Sequence, residues 1–288
     1  MSRLPITKTP KVYVGGAFIR SESSRVFPLQ DAAGNFFANI PQCTRKDLRN
    51  AVEAAAKAGP GWAKRTAYNR GQILYRLGEM LEARASELAD AIRLGGATKI
   101  AAAKEVTATV DRLIYYAGWA DKYEQVLGSV NPVAAPYFNF TVTEPMGIVG
   151  VIAPDEKPLL ALLSLIIPVL TSGNTVVALA SSAQPYPAIV LGELLATSDL
   201  PGGVVNLLTG FRKELLPTFA THTHLRAITA VANAEERKTL ALGAADSVKR
   251  ARLLKSETTT DWYCESAQSL YAIRDFVEFK TIWHPIGA

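Results

Sequence analysis

The chain has 288 residues, 49% of them hydrophobic, with 31 Lys and Arg against 26 Asp and Glu, enough apolar content to bury a large core in one large domain or two smaller ones. The formal charge of +5 is spread along the chain without a basic block, which argues against a nucleic-acid-binding surface. Two cysteines, Cys43 and Cys264, are too few for a disulfide framework and match no metal-site spacing, as expected of a cytoplasmic protein.

The N-terminal stretch lacks the apolar region of a secretory signal, because Pro5, Lys8, Pro10 and Lys11 interrupt it. Residues 11–29 (KVYVGGAFIRSESSRVFPL) place β-branched and aromatic residues on either side of Gly15-Gly16, which predicts an opening hairpin. Thr44 stands three residues before Asp47 as in a capping box, and Leu48, Ala51, Val52, Ala55 and Ala56 then recur at helical spacing. A second helix is expected to carry Ile73, Leu74, Leu77, Leu81 and Leu88 on one stripe and to stop at Gly95-Gly96; a third carries Val106, Val110, Leu113, Ile114 and Ala117. The aromatic cluster Tyr115, Tyr116 and Trp119 reads as helix packing at that spacing. Residues 129–144 are rich in Val, Phe, Tyr and Thr and broken by Pro132 and Pro136, which predicts an exposed β arm.

From Gly147 the pattern alternates short apolar runs with helical stretches: 147–153, 174–180, 204–208, 225–231 and 247–254 read as strands, with four helices between them. The run Leu159 to Leu170 is too short to cross a bilayer and reads as a buried helix. Strands alternating with helices argue for right-handed crossovers, and so for an α/β fold with a Rossmann-like parallel five-stranded sheet. In such open sheets ligands bind beyond the carboxyl ends of the strands, so the residues just after Ala153, Ala178, Leu208 and Val231 are where chemistry is to be sought.

Three strings carry a resemblance. GIVGVIAP (147–154), NTVV (174–177) and LPGGVVNLLTG (200–210), together with YVGGAF near the start, WAKR at Trp62 and YYAGWADK (115–122), resemble the cofactor-binding region of aldehyde dehydrogenases. FVEFKTIWHP (276–285) resembles that family's final strand, which the resemblance implies would pair with a neighbouring subunit. The implied organisation is a cofactor-binding-type domain over 1–128 and 145–257, with a β oligomerisation arm and terminal strand over 129–144 and 258–288.

The family's functional positions depart from the pattern one after another. Its oxyanion-stabilising Asn falls at Glu156, within Asp155-Glu156-Lys157-Pro158, and a carboxylate there opposes developing negative charge. The ribose-binding Lys and Glu fall at Leu179 and Ser182, and the Gly positions that admit a pyrophosphate to a helix N-terminus fall at Ala232 and Arg237, the latter able to attract phosphate by charge. The general base falls at Leu254. Beyond it the family inserts its catalytic domain with the nucleophilic Cys, whereas this sequence runs through SETTTDWYCESAQSLY (256–271) toward the terminal strand.

Cys264 is therefore expected to be an incidental thiol, His222 and His224 a solvated pair and not metal ligands, and Asp155 and Glu156 a solvated turn. Glu257 is the one residue a small shift in alignment would offer as a base. No catalytic residue, metal or bound NAD is expected. Phe138, Phe140, Phe276, Val277, Phe279, Ile282 and Trp283 are expected to form an assembly surface. The expectation is a non-catalytic subunit pairing with a catalytic aldehyde dehydrogenase, like the incomplete second module of two-module family members. A nucleotide-binding module or oxidoreductase with a relocated site and a homo-oligomeric scaffold are the alternatives.

Overall fold

The computed structural model describes residues 8–256 and 260–287. Five parallel strands form its centre: β7 (Ile148–Ile152), β8 (Thr175–Leu179), β9 (Val205–Leu208), β10 (Leu225–Ala232) and β11 (Arg250–Lys255), in the order β11-β10-β7-β8-β9. Every residue of β7, β8 and β9 is buried, as expected for parallel strands covered on both faces. The period of two assigns each face its own core. Val149, Val151, Val176, Ala178, Val205 and Leu207 point to one side, while Ile148, Ile152, Val177, Leu179 and Leu208 point to the other.

The first side is covered by α6 (Leu160–Thr171) and α7 (Tyr186–Thr197), and behind α6 lie α2 (Ala67–Ala83) and α4 (Lys99–Trp119). Lying between sheet and outer helices, α6 is buried along its whole length, which explains why its sequence is apolar all round. The second side is covered by α1 (Arg45–Ala63), α8 (Arg212–Thr221) and α9 (Ala234–Ala245), which insert Leu48, Val52, Leu215, Phe219 and Leu240. Phe219 sits so close to the sheet that a Cβ at Gly150 would meet its Cδ1 at 2.8 Å.

One expectation is extended and one is corrected. The five parallel strands are present as expected, and the opening hairpin, β1 (Val12–Val14) and β2 (Ala17–Ile19), extends them: β1 pairs antiparallel with β9 at Tyr13↔Leu207, so the whole sheet has seven strands. Asn206 fixes the joint by accepting from the Gly15 N–H at 2.9 Å, and this pairing covers an otherwise open edge of the buried sheet. A second hairpin, β3 (Val26–Gln30) and β4 (Phe36–Pro41), follows. The long second helix is broken at Arg84 into α2 and α3 (Ala85–Arg93), because Arg84 leaves helical geometry (φ −110, ψ 24) and reaches Glu193 of α7 at 3.1 Å.

After α5 (Tyr123–Leu127), a separate three-stranded sheet has the order β12-β6-β5, built from β5 (Ser129–Asn131), β6 (Tyr137–Pro145) and β12 (Val277–Pro285). β12 lies antiparallel to β6 of its own chain, in register from Val277↔Pro145 to Pro285↔Tyr137, and only its outer edge is left unpaired. Two side chains tie this sheet to the main one: Arg250 of β11 donates to the Val277 carbonyl at 2.8 Å, and the Asn174 amide bonds on both sides of the joint. Asn174 accepts from the Gly147 N–H at 2.7 Å and donates to Ser172 Oγ at 2.8 Å and to the Phe276 carbonyl at 2.7 Å. Among the described residues no helix is long and apolar enough to cross a membrane.

Candidate functional site at the strand reversal

The chain lays β7, β8 and β9 outward in one direction, then returns to place β10 and β11 on the opposite flank of β7. Successive connections therefore leave the sheet on opposite sides at the β7/β10 boundary, and a crevice opens outside the carboxyl ends of those two strands. Its cavity of about 290 Å³ is lined by Pro154, Asp155, Glu156, Arg212, Val231, Asn233, Glu236, Ser256, Thr260 and Trp262.

The parallel ladder between β7 and β10 ends at Ile152↔Ala230, and beyond it the carbonyls of Ala153 and Val231 point into the crevice mouth. Arg212, the first residue of α8, donates to both, at 2.7 Å from Nη1 to Ala153 and 2.6 Å from Nη2 to Val231. The same guanidinium grips Glu236 with two parallel bonds of 2.8 Å, the bidentate geometry that guanidinium and carboxylate favour. Glu236 also closes the N-terminus of α9. It accepts from the Asn233 N–H at 3.2 Å while Asn233 Oδ1 accepts from the Glu236 N–H at 2.9 Å, a capping box. Burial raises the Glu236 carboxyl, but the Arg212 hydrogen bond and charge outweigh it and hold the group below its ordinary value.

A second carboxylate occupies the next helix start. Glu105 of α4, 2% exposed, accepts from the backbone N–H groups of Leu159 (3.0 Å) and Leu160 (3.3 Å) at the head of α6. Burial pushes its carboxyl above the ordinary value despite these bonds and the nearby Lys157 charge. Lys157 itself stands at φ 49 on the loop between β7 and α6.

Residues 260–276, between β11 and β12, pack back along the outer layer. Arg112 of α4, 4% exposed, donates to Trp262 O (2.8 Å), Ala267 O (2.9 Å), Gln268 Oε1 (3.0 Å) and Ser164 Oγ (2.7 Å). Tyr116 Oη accepts from the Ser269 N–H at 3.1 Å, and the short helix α10 (Leu270–Arg274) follows. Thr260 and Trp262 thereby become a wall of the crevice. Among the described residues no cluster of three or more potential metal ligands is assembled.

The positions singled out on sequence gather at this end of the sheet. Glu156 lines the crevice; Leu179 and Ala232 are buried at the ends of β8 and β10; Ser182 donates to Gly210 O at 2.8 Å; Leu254 lies in β11. Arg237, expected to be the group able to attract phosphate, donates to Ala232 O at 2.8 Å. The arginine that faces the crevice is Arg212, which the sequence reading passed over. Asp155 is more than a solvated turn, since it accepts from Ser181 Oγ at 2.7 Å and the Ala183 N–H at 3.1 Å. Cys264 lies outside the crevice lining, with its thiol donating to Asp261 O at 2.9 Å. Glu257 lies outside the described residues.

Of the expected assembly residues, Phe276 and Val277 are corrected to core, at 1% and 0% exposure, because the chain is still tied to Asn174 and the main sheet where β12 starts. Phe138, Phe279 and Trp283 are exposed, and Phe140 and Ile282 half-buried. By register Phe140 and Ile282 stand opposite each other, with Val130 beside Phe140 on the same face.

A mostly parallel sheet, helices on both faces and a crevice at the strand reversal define a doubly wound α/β domain. The model of the aldehyde dehydrogenase family matches residues 18–256, and the chain belongs to that family. It is 34% identical over 253 residues to retinal dehydrogenase 2 of Gallus gallus, covering 85% of this chain and 48% of the relative. It is 30% identical over 283 residues to mitochondrial aldehyde dehydrogenase of Rattus norvegicus, covering 90% and 53%. Among solved structures, the NAD+ complex of an aldehyde dehydrogenase from Bacillus cereus superimposes with a TM-score of 0.82 at 26% identity, over 86% of this chain and 51% of that one. The chain spans about half the length of the relatives it matches.

Proposed function

We propose that this protein is a non-catalytic aldehyde dehydrogenase-like subunit, which assembles with or regulates a catalytic aldehyde dehydrogenase and binds no nicotinamide cofactor itself. The observation that carries the reading is the Arg212–Glu236 pair set across the β7/β10 crevice. A dinucleotide needs free backbone N–H groups at the α9 N-terminus and room beside them. Here the Glu236 carboxylate caps that terminus, and Asp155 and Glu156 add negative charge at the mouth. Those residues do not fit a pyrophosphate. The connection of only about twenty residues between β11 and β12, whose residues 260–276 lie along α4, supports the same reading, because the family's catalytic domain belongs between those strands.

What the chain would contribute is its three-stranded sheet, with an unpaired β12 edge and one face carrying Val130, Phe138, Phe140, Val142 and Ile282. The test is to tag the protein in its native cell, purify it gently, and measure native mass and composition. A catalytic aldehyde dehydrogenase recovered at fixed stoichiometry is the expected result. A homo-oligomer alone would sink this reading in favour of a scaffold. Separately, titration calorimetry with NAD, NADP and ADP should give no heat at millimolar ligand.

A further inference from the structure

Parallel strands that part at a reversal leave carbonyls without ladder partners. Beyond Ile152↔Ala230 those are Ala153 O and Val231 O, on residues 1% and 6% exposed, and buried carbonyls left unpaired are costly. A bound ligand could satisfy them, or the chain can supply a group of its own. The guanidinium of Arg212 is a planar fork of five donors. Four of its donor contacts are made here, one to each strand end and two to Glu236. Glu236 in turn supplies the negative charge that a helix N-terminus attracts.

We propose that Arg212 and Glu236 are a built-in occupant of the crevice. The carboxylate stands where an anionic ligand would meet α9, and the guanidinium clamps β7 to β10, so the closed sheet needs no ligand to hold it. The inference deepens the reading above and rests on its cofactor-free part alone; partner assembly plays no role in it. It also defines the chemistry of the space that Arg212 fills. Two carbonyls and a carboxylate converge on it, which is a receptor for a guanidinium cation.

The experiment is chemical rescue in the full chain. Arg212→Gly should melt about 5–10 °C below wild type, the shift expected when one partner of a largely buried ion pair is removed from a domain of this size. Millimolar methylguanidinium should recover part of that loss, methylammonium should recover less, and neither should move the wild type. Glu236→Gln should lower the melting temperature of the wild type but have little further effect in the Arg212→Gly background, because the two side chains act as one unit. If Arg212→Gly does not fold, Arg212→Lys serves instead, since it keeps the charge but cannot bridge both carbonyls, and it should fall measurably below wild type. An Arg212→Gly or Arg212→Lys protein as stable as wild type would overturn the proposal, as would fully additive effects at 212 and 236. A rise in wild-type melting temperature with NAD would overturn it together with the cofactor-free reading. Failure to recover a partner enzyme bears on the subunit reading alone.

Discussion

Replacing Arg112 by Met tests whether the segment after Thr260 is held as an integral part of the fold. The guanidinium is buried, with no carboxylate beside it among the described residues, and its charge is compensated by four oxygens, of which Trp262 O, Ala267 O and Gln268 Oε1 belong to the segment. Burial lowers its pKa, which marks the desolvation already incurred. Methionine retains most of the stem and avoids that desolvation, so the loss is less than the sum of four charge-assisted bonds. Two stranded carbonyls and an unpaired amide oxygen still cost roughly 1–3 kcal/mol each where water cannot reach them. With partial rehydration of the segment, a net destabilisation of about 3–5 kcal/mol follows, equivalent to a fall in Tm of roughly 6–12 °C. Hydrogen exchange supplies the sharper assay. Amides of residues 262–274 should lose protection by several orders of magnitude while those of β7, β8 and β9 keep theirs relative to the new global stability. Uniform loss across the protein, or a destabilisation below about 1 kcal/mol, would refute the idea that Arg112 fastens this segment.

Three further outcomes follow from the same geometry. Burial raises the Glu105 carboxyl, so the unfolded chain ionises first as pH rises; stability relative to Glu105→Gln should fall from pH about 4.5 upward and level off above the folded-state value, which paired denaturation series across that range would detect. Burial pushes the Lys249 amine down to about 8 from 10.5, so between those values the unfolded state binds more protons and stability should rise with pH, a slope absent in Lys249→Met. Ile282→Asp, opposite Phe140 on the three-stranded sheet, should reduce native mass or partner retention while shifting the melting temperature of the isolated chain by no more than about 2 °C.

The parallel sheet was readable because periodicity and turn residues are local. Runs such as 148–153 and 176–180, uniformly apolar and set beside Gly, Pro or Asn, have few other uses. The α2–α3 break was not readable, because the stretch around Arg84 holds no Gly or Pro and its partner Glu193 is distant in sequence. The hairpin's attachment to β9 likewise depends on Asn206 meeting Gly15 from a remote stretch. The crevice was legible as a place and not as chemistry. The strand-end rule points to the residues after Leu208, yet Arg212 in FRKELL looks like any charged residue opening a helix, and its meaning lies in carbonyls contributed by two other strands. Phe276 and Val277 were misjudged for the converse reason, since an apolar strand sequence does not reveal where a strand leaves the core.

The Asn174 amide joins the turn before β7, the end of α6 and the entry to β12 at a single point. A junction of that kind behaves like a welded bracket rather than a hinge, because rotating the small sheet would break hydrogen bonds made by a side chain that is 1% exposed. The bearing of the small sheet relative to the large one is thus set during folding, and any molecule clasped by β12 would inherit a fixed orientation to the sheet that carries Arg212.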